Sequence, residues 1–590
     1  MNQKDSLFKL FLSILKIQKK WIVISVSLIT VSVLGVAKEP DKAVNMPVEE
    51  ELPADITFWS DYPHEILAKT LINRMSDEEL LAQIFMFGWA GQEPSPLLNQ
   101  WVTERGLGSV KVFGWNTEDI HLVARSITDL QKKAQNRPLQ IPLFVATDQE
   151  GGWIRHVKGS TSDTPGNLAI GAGGVPIDSW YSGYYIGREL RALGINMNFA
   201  PTVDIYSNYE SSVIGPRSFG EYTEYTGILG ATFAAGSQAA GVIPTAKHFP
   251  GHGDTSVDSH GMLPVIDIDY QTLMERELVP FRYLVKEKIP AIMSGHLSFP
   301  QIVTGGEPAS LSKTFLTDIL RGELGYEGLI ITDDMMMNGA TSWAGSLSAA
   351  FRMAIEAGND IIISSTTAQL NENLWTDNLR LMQTSQEFRN RVIDAAYRVV
   401  LAKLRYFKSD NAVPIYPELD KIDERIPDPD GQVFFLEQAC RSVTLYHGDE
   451  SPLLPERDED IVLVGQKQFP SFFSEGFKRY PGAKRMEITY GMGPNSLAWM
   501  TNLLTSMAPQ YKTVVICVAD EASAQLAAAL KDIPVETIII SVLAPYPAME
   551  LKEWADKILM IYSYSPYSFN AVFGALHGEF VPRGTFPLIE

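Results

Sequence analysis

The segment from Lys247 to His260, KHFPGHGDTSVDSH, concentrates titratable side chains in fourteen residues and holds three of the nine histidines of the chain. Pro250, Gly251 and Gly253 within it disfavour a helix. We therefore expect a loop, and the side-chain types in it are compatible with metal binding, a structural role or acid–base catalysis.

Metal binding by two histidines four residues apart usually relies on one face of a helix. The proline and glycines between and around His248 and His252 abolish such a face, so we expect no bound metal. A structural role, in which polar side chains satisfy backbone groups at a strand end, would account for a single histidine. Five titratable groups in one loop favour a chemical function instead.

Acid–base catalysis fits the last residues of the segment. In an extended loop, Asp258 and His260 project to the same side and can form a hydrogen bond. The carboxylate would fix the tautomer of the imidazole and raise its pKa, which gives a proton donor near neutral pH.

A nucleophile for this dyad is predicted in the stretch LIITDDMMMNGA, where Asp333 and Asp334 end an apolar run. A carboxylate nucleophile together with a general acid is the apparatus of retaining glycoside hydrolysis. Adjacent strand residues point in opposite directions, so only one aspartate should face a substrate, and periodicity does not choose between them. We expect the other to cap the following helix.

Eight apolar, strand-like runs alternate with helical stretches and must position these residues. Near-continuous apolar strands between helices predict a parallel sheet that is covered on both faces. Eight such units in roughly 350 residues predict a (β/α)8 barrel of the TIM type, whose catalytic face is formed where the strands end. The runs are QIFMFGW, SVKVFGW, IPLFVATD, INMNFAPTVD, VIPTAKHF, IPAIMSGH, GLIITDD and NDIIISS.

Beyond a proline-rich, acidic break the pattern restarts on a smaller scale. DIVLVGQ, TVVICVAD, ETIIISVLA and KILMIYSY are predicted strands, and EASAQLAAALK is a predicted helix. They predict a three-layer α/β/α sandwich without a glycine-rich phosphate loop. The predicted organisation is a signal peptide or membrane anchor (1–37), a tether (38–55), the catalytic barrel (56–408), a linker (409–432) and the sandwich (433–590).

The N-terminal stretch is typical of an export signal. Five lysines and one aspartate in the first twenty residues precede an uncharged run from Trp21 to Ala37. That run also reaches the lower limit for a membrane span. We expect export to the periplasm, the cell surface or the medium, with a cleaved signal or, alternatively, membrane attachment through residues 21–37.

The composition excludes several classes of protein. The formal net charge is −21 and the pI is near 5.0, and such an acidic chain without a basic stripe is not expected to bind nucleic acid. Cys440 and Cys517 are too few for a disulfide framework or a zinc cluster.

Taken together, KHFPGHGDTSVDSH and ITDDM resemble the motifs of glycoside hydrolase family 3, in particular its β-N-acetylglucosaminidases. ATDQEGGWIRHV, NFAPTVDI and IGPRSFG resemble further parts of that family's barrel, so the likeness covers residues 56–407. LHGEFVPRGTFPL resembles the family's second domain. The resemblance implies that Asp333 is the nucleophile, His260 the acid/base and Asp258 its orienting partner.

The resemblance also implies a set of sugar contacts. Lys247 and His248 match residues that hold sugar hydroxyls, and Arg217 in GPRSFG matches another contact to the ring. Asp148 matches the carboxylate that accepts hydrogen bonds from hydroxyls at the far edge of the ring. Charge-assisted hydrogen bonds from fixed groups suit a neutral sugar.

One position departs from the family pattern. The family usually has an arginine eight residues after Asp148, where this sequence has His156 with Arg155 just before it. Either Arg155 turns into the site or His156 takes the place of the arginine. The contacts to the O3 and O4 hydroxyls of the sugar would then differ from those of the family.

The sequence therefore predicts an exported, exo-acting β-N-acetylglucosaminidase that works by double displacement without a cofactor. Its expected substrates are GlcNAc-containing peptidoglycan fragments or chitin-type oligosaccharides. A glycoside phosphorylase with the same residues is also compatible with the sequence, because a histidine donor does not repel phosphate as a carboxylate would. A β-glucosidase-like specificity and a non-catalytic wall-binding protein are compatible with it as well.

Overall fold

Eight parallel strands close into a barrel in the computed structural model, which describes residues 52–211, 213–255 and 261–589. The predicted (β/α)8 barrel is thus confirmed, and most strand residues are buried, as their apolar runs require. The barrel strands are β1 (Phe85–Phe87), β2 (Ser109–Lys111), β3 (Phe144–Thr147), β6 (Met197–Asn198), β7 (Ile243–Phe249), β8 (Ala291–Ser294), β9 (Leu329–Asp334) and β10 (Ile361–Ser364). β10 pairs with β1 and closes the barrel. Two further strands, β4 (Gln149–Gly151) and β5 (Ile154–Arg155), form a hairpin outside the barrel.

Amphipathic helices surround the barrel. In the helix Ile120–Gln135, Val123, Ile127, Leu130 and Ala134 recur at helical spacing and are buried, while the Asp119 carboxylate accepts N–H groups of the first turn. The barrel helices are His64–Arg74, Asp77–Gln83, Pro96–Gln100, Ile120–Gln135, Asn167–Gly173, Pro176–Ala192, Thr223–Ala239, Tyr270–Thr272, Val279–Lys286, Asn338–Ala344, Leu347–Ala357, Asn373–Thr384 and Gln386–Phe407, with π-helical segments at Trp101–Arg105, Leu273–Glu277 and Thr314–Glu323.

The hairpin of β4 and β5 follows β3 directly and turns at two glycines. Gly151 and Gly152 have positive φ angles of 92° and 60°. A Cβ atom on Gly152 would lie 3.0 Å from Cα of Gly166. The tight turn returns the chain to the barrel mouth and fixes Glu150 there.

A six-stranded sheet forms the second domain, with helices on both faces, so the predicted three-layer sandwich is confirmed. The strand order is β11-β16-β15-β14-β12-β13, and β11 is antiparallel to its neighbour. The strands are β11 (Thr444–His447), β12 (Ile461–Gln466), β13 (Lys484–Ile488), β14 (Thr513–Val518), β15 (Glu536–Ser541) and β16 (Lys557–Met560), and the helices are Pro470–Arg479, Pro494–Met507, Glu521–Ala528, Tyr546–Met549 and Pro566–Leu576.

The segment between barrel and sheet is more helical than its prolines indicate. A short helix, Ile422–Arg425, lies within the predicted linker, and the helix Pro429–Ser442 begins before its predicted end. Pro429 occupies the first turn of that helix, where a proline is tolerated because its missing N–H needs no partner. Arg441 at the other end of the helix forms a bidentate ion pair with Asp178 of the barrel.

The predicted export segment, residues 1–37, and most of the tether lie outside the described residues. Among residues 52–589 as described, no helix combines the length and the apolar character that crossing a bilayer requires.

Candidate active site

Charged side chains converge at the C-terminal ends of the barrel strands, which is the face that the sequence predicted to be catalytic. The strands β3 and β9 are four positions apart in the ring of eight, so Asp148 and Asp333 end strands on opposite sides of the mouth. The residues gathered there are Lys111, Asp148, Glu150, Asp204, Arg217, Lys247, His248, His296 and Asp333.

Asp148, directly after β3, is the centre of a buried ion-pair network. Lys247 Nζ lies 2.6 Å from its Oδ1 atom, and Lys111 Nζ lies 2.8 Å from its Oδ2 atom. Burial alone would raise the pKa of Asp148, but the two ammonium groups outweigh it and hold that pKa well below its usual range. The carboxylate is therefore ionised and suited to accept hydrogen bonds from sugar hydroxyls.

Glu150, in the hairpin strand β4, contacts two cations, Arg217 and Lys247. Arg217 donates to both carboxylate oxygens at 2.8 and 2.9 Å, and Lys247 Nζ lies 2.6 Å from Oε1. Burial opposes ionisation of Glu150, yet Arg217 and Lys247 lower its pKa to about 2. A bidentate pair of this kind fixes the plane of the guanidinium group.

Asp204 orients the first histidine of the loop. Its carboxylate lies 2.7 Å from Nδ1 of His248 and also accepts the backbone N–H of His248 at 3.1 Å. With Nδ1 engaged, Nε2 of His248 points toward Arg217, whose Nη2 is 3.4 Å away. Asp204 thus fixes the orientation of the His248 imidazole so that its Nε2 atom faces the site.

Asp333, the penultimate residue of β9, is partly buried and ionised. Burial would raise its pKa, but His248, His296, Lys111 and a backbone N–H lower the pKa to about 2. A carboxylate that is ionised at neutral pH, at the end of the seventh barrel strand, meets the first requirement of a nucleophile.

Asp334 has a different role from the one predicted. The helix Asn338–Ala344 has Met337 as its N-cap, so the expected helix cap by Asp334 is wrong. Its Oδ1 atom instead accepts N–H groups of Met336 and Ser365 at 3.0 and 2.9 Å. These bonds tie the end of β9 to the chain that follows β10.

His296 supports the same strand end. Its Nε2 atom lies 3.1 Å from the carbonyl oxygen of Asp334, and its Nδ1 atom lies 2.7 Å from the Ser310 hydroxyl. Burial lowers the pKa of His296. A neutral ring that donates through Nε2 and accepts through Nδ1 satisfies both contacts.

Asp258 and His260 lie outside the described residues, so the acid–base dyad stays a prediction. The chain just before it is anchored, because the backbone N–H of His252 donates to Asp204 at 2.7 Å. Burial lowers the pKa of His252 to about 4, so this ring is neutral at physiological pH.

Arg276 links Asp254 of that loop to Glu277. Arg276 contacts Asp254 at 2.5 Å and Glu277 at 2.6 Å. Glu277 is 1% exposed, and burial raises its pKa to about 7 in spite of Arg276. A Cβ atom on Gly251 would lie 2.7 Å from Oε2 of Glu277, so only a glycine fits there.

A comparison with family models decides the family. Residues 77–402, more than half of the chain, match the model described as "Glycosyl hydrolase family 3 N terminal domain". The chain belongs to glycosyl hydrolase family 3. It is therefore a glycoside hydrolase, and the family predicted from the sequence motifs is confirmed.

Relatives of this family 3 chain carry a consistent name. It is 37% identical over 284 residues to "Beta-hexosaminidase A" of Pseudoalteromonas piscicida, covering 45% of this chain but only 47% of that protein. It is 31% identical to "Beta-hexosaminidase" of Neisseria meningitidis over 55% of this chain and 89% of that one. A solved structure, a glycoside hydrolase family 3 β-N-acetylglucosaminidase from Paenibacillus sp., superposes with a TM-score of 0.77 at 28% identity, covering 87% of this chain and 99% of that one.

At the position where this family 3 member departs from the motif, the structure separates the two candidate residues. Nδ1 of His156 lies 3.5 Å from Oδ2 of Asp148. Arg155 instead donates to the Thr161 carbonyl at 2.7 Å, and its other Nη atom is 3.9 Å from Asp163. His156 rather than Arg155 is thus beside Asp148, and burial lowers the pKa of His156 to about 4.

Four residues of the site were not singled out from the sequence: Lys111, Glu150, Asp204 and His296. Each lies at or just after one of the apolar runs, so its position at a strand end was the available signal. Within the described part of the chain, no group of three or more His, Cys, Asp or Glu side chains is arranged to hold a metal ion.

Proposed function

We propose that this chain is an exported, retaining exo-β-N-acetylglucosaminidase that releases terminal GlcNAc from peptidoglycan fragments or chitin-type oligosaccharides. Two named β-hexosaminidase relatives and the structural likeness to a β-N-acetylglucosaminidase support the sugar specificity. The basic and then apolar N-terminal stretch supports export, with residues 21–37 as a cleaved signal or a membrane anchor.

The observation that carries the proposal is the arrangement of Asp333 opposite the network around Asp148. An ionised carboxylate ends β9, while fixed donors and acceptors surround Asp148 across the mouth. A sugar ring between them would place hydroxyls against Asp148, Lys247 and Arg217 and its anomeric carbon against Asp333. Buried charge-assisted contacts of this kind hold a neutral ring in one orientation.

The reaction would then proceed in two displacements. Asp333 attacks the anomeric carbon and forms a glycosyl ester while His260 gives its proton to the departing oxygen. In the second step His260 removes a proton from water, the water oxygen attacks the anomeric carbon, and the bond to Asp333 breaks. Two inversions retain the β configuration.

Hydrolysis of a panel of aryl β-glycosides that differ only in the C2 substituent tests this proposal. We expect the N-acetylamino glycoside to have a kcat/KM at least about a hundred-fold above that of the glucoside, because a site built for an amide leaves polar groups unpaired when it is missing. Faster hydrolysis of the glucoside would overturn the assigned sugar, and release of phenol from none of the panel would indicate a non-catalytic protein.

The same assay separates hydrolysis from phosphorolysis. We expect free GlcNAc as the product in both the presence and the absence of phosphate, with the β anomer formed first in the NMR spectrum. Accumulation of GlcNAc 1-phosphate in phosphate buffer would identify a phosphorylase instead.

A further inference from the structure

Lys111 is a buried cation at the barrel mouth that the sequence motifs did not include among the sugar contacts. It is the last residue of β2, and its Nζ atom lies 2.8 Å from Oδ2 of Asp148. The same atom lies 4.3 Å from the centroid of the Phe113 ring and 5.2 Å from that of Phe199. One carboxylate and two aromatic rings thus hold the ammonium group in place.

The charge of Lys111 acts on acids at both sides of the mouth. Burial raises the pKa of Asp148, and Lys111 is the first of the cations that lower it. Burial also raises the pKa of Asp333, which His248 and His296 and then Lys111 lower. The ammonium group is therefore near the space in which a sugar would lie between the two acids.

The ion pair of Lys111 and Asp148 leaves hydrogen-bonding capacity on both groups. It occupies one of the three N–H donors of the ammonium group, and Lys111 has no other acceptor among the described residues. Oδ2 of Asp148 receives no well-directed hydrogen bond from the described residues either. Lys247, in contrast, is engaged by Asp148 and by Glu150 at 2.6 Å each. A single hydroxyl group can thus donate to Oδ2 and accept from Lys111.

The position at which the chain departs from the family motif supplies no cation to Asp148. Arg155 is turned to the carbonyl oxygen of Thr161. Burial lowers the pKa of His156 to about 4, and Lys111 acts in the same direction, so this ring is neutral at physiological pH. Lys111 is therefore the cation on this side of Asp148.

Lys111 and His156 lie at the same oxygen and beside the same ring. Nδ1 of His156 is 3.5 Å from Oδ2 of Asp148, and the His156 and Phe113 rings have centroids 5.6 Å apart. A charged side chain at position 156 would be a third cation around Asp148, and Lys111 and Lys247 would repel it. The presence of Lys111 thus accounts for a neutral residue at position 156.

We propose that Lys111 is a sugar-binding residue, which supplies from β2 the cation that the family motif places eight residues after Asp148. A hydroxyl group of the sugar donates to Oδ2 of Asp148 and accepts from Nζ of Lys111. The inference rests on the proposed function, because it needs a sugar between Asp148 and Asp333. An ammonium group is a point charge with rotatable donors, whereas a guanidinium group presents a rigid fork, so the contacts to the sugar differ from those of an arginine.

Deoxygenated substrates test for the direct contact: nitrophenyl β-GlcNAc and its 3-, 4- and 6-deoxy analogues. The wild-type enzyme should lose about ten-fold or more in kcat/KM at the ring position that Lys111 contacts, the order of one hydrogen bond to a charged group. Lys111→Met should lose a similar factor on the parent glycoside, but deoxygenation at that position should then cost about five-fold less or better. Equal penalties in both enzymes at all three positions, or an unchanged kcat/KM of Lys111→Met, would overturn the proposal.

The exchange of cations is tested by moving the charge. Lys111→Met combined with His156→Arg keeps the number of cations around Asp148 and places a guanidinium group where the family motif has it. The double variant should regain about ten-fold or more of the kcat/KM that Lys111→Met loses. A double variant no faster than Lys111→Met would overturn the exchange.

Two features of the design separate binding from stability. Lys111→Met is expected to be less stable, but the penalty of deoxygenation compares two substrates on one enzyme preparation, so the folded fraction cancels. Lys158→Met removes an exposed lysine and should match the wild type on all four glycosides. If the wild type hydrolyses none of them, the proposed function fails, whereas hydrolysis without any coupling to Lys111 overturns this inference alone.

Discussion

The backbone N–H of Asp334 donates to Oδ1 of Asp333 at 2.7 Å, so two adjacent acids at the end of β9 are coupled but not equivalent. Asp334 accepts two further backbone N–H groups and is bound into the barrel rim. Asp333 makes no other hydrogen bond within the described residues. The structure therefore leaves Asp333 as the acid with a free oxygen for a substrate.

The first prediction separates these two acids. Asp333→Ala should reduce kcat/KM at least about a thousand-fold, because the nucleophile is lost, while the melting temperature is kept or raised. Asp334→Ala should retain substantial activity but lower the melting temperature, since Met336 and Ser365 lose their acceptor. Activity assays and thermal unfolding of both variants check this, and exchanged behaviour would contradict the assignment of the nucleophile.

Azide provides an independent check on Asp333→Ala. In the space that the carboxylate vacates, azide should attack an activated aryl β-GlcNAc from the same face and give the α-glycosyl azide. A β-configured azide, or no rescue together with normal binding of the substrate, would argue that another group is the nucleophile.

The second prediction concerns the pair of Lys111 and Asp148, whose side chains are only 5% and 10% exposed. Lys111→Met should lower the unfolding free energy by about 3 kcal/mol, because a buried carboxylate loses one of its cations. Lys111→Met combined with Asp148→Asn should be less destabilised than the sum of the single variants, with a coupling of about 1–3 kcal/mol. If the changes in unfolding free energy measured with denaturant are additive, Lys111 and Asp148 are not energetically coupled.

The third prediction follows from Glu277, whose pKa is raised from 4.5 to about 7 by burial, with Asp204 and Asp254 adding to the effect. The folded state holds this proton more tightly than the unfolded state. Protonated Glu277 therefore contributes up to about 3 kcal/mol to the free energy of unfolding. This contribution is fully present below pH 4.5 and is lost as the pH rises through about 7.

Glu277→Gln stays neutral at every pH and should flatten this part of the stability profile. Glu275→Gln, which changes an exposed residue of the same segment, should leave the slope as it is in the wild type. Melting temperatures between pH 4.5 and 7.5 measure the difference, and parallel curves for the wild type and Glu277→Gln would disprove it.

The barrel was predictable because its strands are buried on both faces and stand out as continuous apolar runs. The edge strands of the second sheet were missed for the opposite reason: Lys484–Ile488 alternates exposed and buried residues, and Thr444–His447 is buried only at its first residue. Each pairs on one side only, so polar residues are tolerated and the apolar signal is weak.

The same limit applies to the site. Strand-end acids such as Asp333 follow from the local pattern, but Lys111 is a single lysine within an apolar run. It becomes a functional candidate only when the fold brings it to Asp148, and sequence spacing does not encode that pairing. The role of Asp334 was missed likewise, because one of its partners, Ser365, follows a different strand.

The fourth prediction concerns metal ions. Because the histidine cluster is interpreted as proton chemistry, prolonged dialysis against a chelator should leave the hydrolysis rate of an aryl β-GlcNAc unchanged. A large loss that one particular divalent cation restores would revive a metal site formed by the loop from His248 to His260.

The fifth prediction tests the dyad itself. Protonation of the departing oxygen matters most when that oxygen is a poor leaving group, and a positioned general acid contributes roughly 10²–10⁴-fold. A nitrophenol leaves readily as its anion and needs little of that help, whereas a sugar hydroxyl needs nearly all of it. His260→Ala should therefore slow cleavage of a natural disaccharide far more than cleavage of a nitrophenyl glycoside.

With the nitrophenyl substrate, loss of His260 also removes the base that activates water, so the second step should become limiting. A burst of nitrophenol should then appear while glycosyl-Asp333 accumulates, and mass spectrometry of the quenched enzyme can detect the adduct. Asp258→Asn should show a weaker form of the same pattern, because the imidazole remains but is less basic and poorly oriented. Equal losses on both substrates in His260→Ala would assign this histidine to binding or structure, and the general acid would have to be another residue.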